Sequence, residues 1–219
     1  MKIYFIPDDV RVLIFDIDST LYTNEEYAHE QIDSQIRHFA ALRGITAQQA
    51  RAMIADFRKE WAANHSNQKI SLGNLLTHFG ISIEESIEWR KNLFNPFEYL
   101  KKDERLIETL KNLSNRFYLI CVTNNPVLPA KKTLEALGVL EFFPNVIGLD
   151  STKKSKPAKE IFDLAVNLAE KHTAQKIKYK NCISIGDRYD IDLALPLKLG
   201  MGAILVDGVK DVYELPNFL

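Results

Sequence analysis

Short runs of Ile, Leu, Val and Phe recur along the chain, and stretches of helical periodicity separate most of them. The runs cover 12–15, 117–122, 146–149, 182–185 and 203–206. Each is short and almost wholly apolar, the pattern of a strand buried on both faces. Helical patterns at about 127–137, 157–171 and 190–199 fall between them, the first closed by Gly138. Strands alternating with helices predict βαβ units, hence a parallel sheet with helices on both faces. The interval 22–96 differs. It holds no strand run and reads as successive amphipathic helices over roughly 25–43, 47–63, 71–79 and 83–93. The predicted organisation is α/β: a Rossmann-like core from 1–21 and 97–219, with an all-helical cap at 22–96. The polar stretch 64–69 reads as a loop within the cap.

Composition narrows the class without deciding it. The chain has 219 residues, 46% hydrophobic and 26% charged, enough for one sizeable core with an insert. The formal net charge of -1 gives no general attraction to nucleic acid or to a membrane surface. No apolar run is long enough to span a bilayer, and the N-terminal stretch is too short for a signal peptide. Cys121 and Cys182 lie inside apolar runs and read as small buried thiols, which points to a reducing, cytoplasmic setting. The five histidines have no ligand spacing. Trp61 and Trp89 sit in helical patterns and read as packing residues.

The chemistry concentrates where strands end. Asp16 and Asp18 follow the first internal run directly, at the edge where open α/β sheets place their ligands. A nucleophilic Asp with a second Asp as acid and base suits phosphoryl transfer. Thr123 and Asn124 follow the second run, where a hydroxyl and backbone N–H groups can hold a phosphate oxygen. Read alone, they equally fit a helix cap before Pro126. Lys156 precedes Pro157 at a helix start and offers a point charge, although Lys153, Lys154 and Lys159 beside it suit a solvated basic face. Asp187 and Asp192 follow the fourth run and Gly186, and could hold a hard cation such as Mg²⁺. Acids in the first turn of a helix are the competing reading.

Taken in order, Asp16, Asp18 and Thr20, then Thr123, then Lys156-Pro157, then Gly186-Asp187 with Asp192 resemble the haloacid dehalogenase superfamily in its phosphatase branch. The resemblance spans nearly the whole chain, and the helical insert matches the first cap type by position. It implies Asp16 as nucleophile and metal ligand, and Asp18 as acid, then base, with its backbone carbonyl on the metal. It implies Thr123, Asn124 and Lys156 around the phosphoryl group, and Asp187 completing a Mg²⁺ site, with Asp192 beside it or acting through water. Asp18 sets the chain apart from the dehalogenases proper. The wording of residues 15–22 is similar to pyrimidine 5′-nucleotidase-like members, and phosphoglycolate-phosphatase-like members are similar throughout. Ser19 stands where glycine or asparagine is frequent, and Arg188 and Tyr189 are bulkier than usual. Arg188 either reaches the substrate or forms a surface ion pair, the second being favoured. Asn24, Tyr27, Arg188 and the loop 64–69 are the expected specificity positions, although Asn24 and Tyr27 fit a packing role equally well. The expected activity is a Mg²⁺-dependent phosphatase acting on a small phosphorylated metabolite, as monomer or homodimer. The alternatives are a phosphomutase of the same fold and a silent phosphometabolite-binding protein.

Overall fold

The computed structural model describes residues 1–65 and 70–219; four positions of the loop expected at 64–69 lie outside the described residues. Among the described residues six strands form one sheet: β1 Lys2–Phe5, β2 Val12–Phe15, β3 Tyr118–Val122, β4 Asn145–Ile147, β5 Cys182–Gly186 and β6 Gly202–Leu205. Their order is β1-β6-β5-β2-β3-β4. All are parallel except β1, which pairs antiparallel with β6 at the edge. β2, β3 and β5 are buried along their whole length, which is why they read as continuous apolar runs. β1 is exposed at every residue, and it was not legible as a strand.

Helices fall in two groups. Those of the sheet unit are Glu104–Ser114, Val127–Ala136, Leu149–Thr152, Lys159–Thr173, Ala194–Leu199 and Val209–Val212. The helix at 159–173 presents Ile161, Phe162, Ala165 and Ala169 to Val12, Ile14, Ile120 and Val122 of the sheet. The helix at 104–114, capped by Asp103 accepting from the Leu106 N–H at 2.9 Å, was not anticipated from the sequence. The expected strand at 146–149 is shorter, because Leu149 opens a helix.

The second group is α1 Glu25–Arg43, α2 Ala47–Asn64, α3 Leu72–His78 and α4 Ile83–Arg90. Each stop and start has a local cause. Gly44 and Gly80 adopt positive φ after α1 and α3. Thr46 and Gln49 form a reciprocal capping box at α2, and Ser71 and Ser82 cap α3 and α4. These helices enclose their own core of Phe39, Ala50, Ile54, Leu75, Leu76 and Trp89. The chain thus divides into two compact units, 1–24 with 96–219, and 25–95.

Candidate active site

The order of strand addition reverses at β2. From β2 the chain runs on to β3 and β4 on one side, whereas β5 and β6 occupy the other. That is a topological switch point, and the carboxyl ends of β2, β3 and β5 border it. Asp16 follows β2, Thr123 follows β3, and Asp187 follows β5. Residues more than a hundred positions apart therefore meet because three parallel strands pair in register, Phe15 beside both Cys121 and Ile185.

Asp16 is buried, with its N–H bonded to the Ile185 carbonyl at 2.9 Å. Lys156, also buried, donates its Nζ to Asp16 Oδ1 at 2.6 Å and to Asp192 Oδ1 at 2.7 Å. The solvated basic face suggested for Lys156 is thus not its setting. Lys154 and Lys159 are exposed and pair with Glu160 and Asp163. Burial pushes the Asp16 carboxyl up, to about 7; Lys156 opposes the rise, and Asp192 and Asp18 add to it. For Lys156, burial alone would lower the value, and the two carboxylates more than offset it, holding the ammonium charged. Desolvation, reinforced by Asp192, also raises Asp187.

Asp18 is held from three directions. Tyr22 donates its hydroxyl to Oδ1 at 2.7 Å, Asn125 donates Nδ2 to Oδ2 at 2.8 Å, and the Thr123 hydroxyl lies 3.4 Å from Oδ2. From Asp18 onward the chain makes a tight turn, with Leu21 N–H bonded to the Ile17 carbonyl and Ser19 at φ 58°. That left-handed conformation explains why glycine or asparagine suits position 19.

Thr123 does not cap the following helix, which begins at Val127; its oxygen accepts from the Asn125 N–H at 3.1 Å. Asn124 turns its Oδ1 to the Lys156 N–H at 2.6 Å, fixing the backbone of the loop that carries the lysine. Asp192 is buried in an irregular turn at 189–193. Its Oδ2 accepts from the Arg188 N–H at 3.0 Å, and its carbonyl accepts from the Ser184 hydroxyl at 2.7 Å. Gly186 makes this possible, since a Cβ there would sit 2.5 Å from Asp192 Cβ. Asp190 is exposed, as a first-turn acid should be.

Carboxylate oxygens of Asp16, Asp187 and Asp192 all lie within 4.8 Å of one another. Opposite ligands of octahedral Mg²⁺ stand about 4 Å apart, so the donor set fits one hard cation with little adjustment. One lysine facing this many carboxylates leaves negative charge that a divalent ion would neutralise.

The remaining sequence candidates lie elsewhere. Asn24 donates Nδ2 to the Tyr99 carbonyl at 2.9 Å, tying the start of the insert to the residues just after its end. Tyr27 is fully buried in the helical unit, edge-on to Phe94. Arg188 is exposed, 3.9 Å from Asp187, which matches the surface ion pair rather than a buried contact. Sequence reasoning missed Asn125 and Ser184. The four-residue spacing of Asp18 and Tyr22 was a weak signal, and nothing marked Asn125 beyond its neighbours Thr123 and Asn124.

Residues 10–197 match the family of haloacid dehalogenase-like hydrolases. The chain belongs to that family. A glyceraldehyde 3-phosphate phosphatase of Methanopyrus kandleri is 25% identical over 204 residues, 90% of this chain and 84% of that one. Among solved structures, a HAD phosphatase from Thermococcus onnurineus superposes with a TM-score of 0.65 at 19% identity, covering 95% and 97% of the two chains. YfnB of Bacillus subtilis, described as a HAD-hydrolase and bound to magnesium, gives 0.60 at 18% identity, covering 96% and 100%. These structural likenesses carry the fold of this hydrolase. Among the described residues no helix is long and apolar enough to cross a membrane.

Proposed function

We propose that this hydrolase removes the phosphoryl group from a small phosphorylated metabolite through an aspartyl-phosphate on Asp16. It is a phosphoric monoester hydrolase. The observation that carries the mechanism is the pairing of buried Asp16 with Lys156 Nζ at 2.6 Å, beside a second carboxylate, Asp18, anchored at a fixed orientation. An Asp16 oxygen attacks phosphorus, and the bond to the leaving oxygen breaks. Asp18 gives that oxygen its proton, so the product leaves as an alcohol. Asp18, now a carboxylate, takes a proton from water as the water oxygen attacks the same phosphorus. The bond to Asp16 then breaks, releasing inorganic phosphate and restoring both acids. Lys156 restrains Asp16 and offers positive charge to the phosphoryl oxygens, with Thr123 as a hydroxyl donor. Asp16, Asp187 and Asp192, with the backbone carbonyl of Asp18, would hold Mg²⁺. Its chemistry would be neutralisation of the charge between acids and phosphoryl group.

The dehalogenase reading loses on Asp18, since carbon–halogen cleavage has no oxygen leaving group to protonate. The named relative makes a phosphorylated three-carbon sugar a sensible first substrate. The groups above grip only what every phosphomonoester shares. Discrimination must come from residues meeting the rest of the molecule, and 25–95 is the segment we assign to that task. Phosphate release measured across phosphorylated sugars, nucleotides and phosphoglycolate is the test. We expect release with Mg²⁺, none in excess EDTA, and loss of turnover in Asp16→Asn with an unchanged fold. Full activity in EDTA, or wild-type rate in Asp16→Asn, would remove the proposal.

A further inference from the structure

We infer that Tyr22 and Asn125 are positioning residues that lock the carboxylate of Asp18 for proton delivery to the leaving oxygen. The inference rests on the acid role of Asp18 proposed above. Tyr22 is 3% exposed, yet its hydroxyl is not spent on packing; it points at Asp18 Oδ1 at 2.7 Å. Asn125 grips the other oxygen at 2.8 Å. A carboxylate free at its terminal torsion turns broadly, because that rotation is soft. Donors on both oxygens, from two different strand ends, remove the freedom. Tyr22 stands in the turn after β2 and Asn125 in the loop after β3, so the clamp is closed by the pairing of those two strands.

The arrangement is chemically matched to an acid. Asn125 can only donate through Nδ2, which keeps Oδ2 an acceptor. A tyrosine hydroxyl can donate or accept, so Tyr22 tolerates Oδ1 with or without a proton. The clamp therefore holds through both halves of the cycle. Thr123 adds a longer contact to Oδ2 and ties the Asn125 N–H at 3.1 Å, which fixes the loop that supplies the clamp. A tyrosine kept only for bulk would be replaceable by phenylalanine at no cost to chemistry.

Leaving groups separate the two roles. An alkyl phosphate leaves as a strongly basic alkoxide and needs the proton; p-nitrophenyl phosphate leaves as a stable phenolate and does not. The value to compare is kcat/KM, which reports only the steps up to release of the leaving group. We expect Tyr22→Phe and Asn125→Ala each to lower kcat/KM about tenfold or more for an alkyl phosphate, a share of the 10²–10⁴ typical of acid catalysis. The loss on p-nitrophenyl phosphate is expected to be several times smaller. Asp18→Asn is the control and should show the same selectivity in larger measure. Equal losses on both esters, or none on either, in both clamp variants while Asp18→Asn stays selective would overturn the clamp alone. If Asp18→Asn itself lost equally on both esters, its acid role would fall, and the clamp with it. Near-ultraviolet circular dichroism and thermal melts of all variants distinguish these results from misfolding. Should one clamp variant not fold, the other decides.

Discussion

At the residue scale the centre of the site is a shared cation. Lys156 sits between Asp16 and Asp192 in a buried setting, where removal of one partner leaves a charge uncompensated. Asp16 nonetheless has a value pushed up to about 7, because burial and two further carboxylates outweigh one ammonium. The consequence has a definite sign. Its folded value exceeds the unfolded carboxylate value of about 4. Stability from neutral Asp16 is therefore fully present below about pH 4, and is lost as pH rises through about 7. A cation bound by Asp16 must displace that proton at low pH and need not at high pH. We predict that Mg²⁺ raises the melting temperature more at pH 8 than at pH 5.5, measured at constant ionic strength. An equal or smaller shift at pH 8 would show that no proton is displaced.

At the element scale, chemistry sits where a strand gives way to a turn. β5 ends in Gly186, and the irregular turn that follows returns Asp192 to its flank, so close that a methyl group at 186 would overlap the aspartate side chain. We predict that Gly186→Ala displaces Asp192, frees Lys156 from one of its two carboxylates and lowers turnover at least tenfold, with a fall in melting temperature of a few degrees. Steady-state kinetics together with a thermal melt check both parts. Wild-type kinetics would mean that Asp192 has room the structure does not give it. The strand ends were legible because β2, β3 and β5 are apolar throughout and break abruptly into polar residues. β1 was illegible for the opposite reason. An exposed edge strand carries no burial pattern. The helix at 104–114 was legible in principle, because Leu106, Leu110 and Leu113 recur at helical spacing behind the Asp103 cap, opposite a charged face.

At the scale of the whole molecule, each of the two units packs apolar residues of its own among the described residues. One cluster lies between the sheet and the helix at 159–173, and another is enclosed by α1 to α4. Separate cores allow separate opening. Phe39 is fully buried in the helical core, and its truncation to alanine should cost about 3–5 kcal/mol there. We predict that Phe39→Ala accelerates amide hydrogen exchange across 25–95 while β2, β3 and β5 keep their protection. Exchange rising equally in both units would show that they unfold as one. Activity at low temperature should survive better in this variant than in Gly186→Ala, because Phe39 has no part in the chemistry.

The sequence by itself determined which polar residues stand where strands end. Asp16, Asp18, Thr123, Lys156, Asp187 and Asp192 each follow a recognisable strand or open a recognisable helix, and local patterning is enough to place them there. The all-helical character of 25–95 was equally legible, because its caps and glycines are local signals. Only the tertiary structure decided the pairings. Tyr22 and Asn125 meet Asp18, Lys156 bridges Asp16 and Asp192, and Asn124 holds the Lys156 backbone. Apart from Tyr22, those partners are separated by tens of residues or more. Which of them meet depends on strand order and register, quantities set by the packing of the entire sheet and carried by no single stretch of chain.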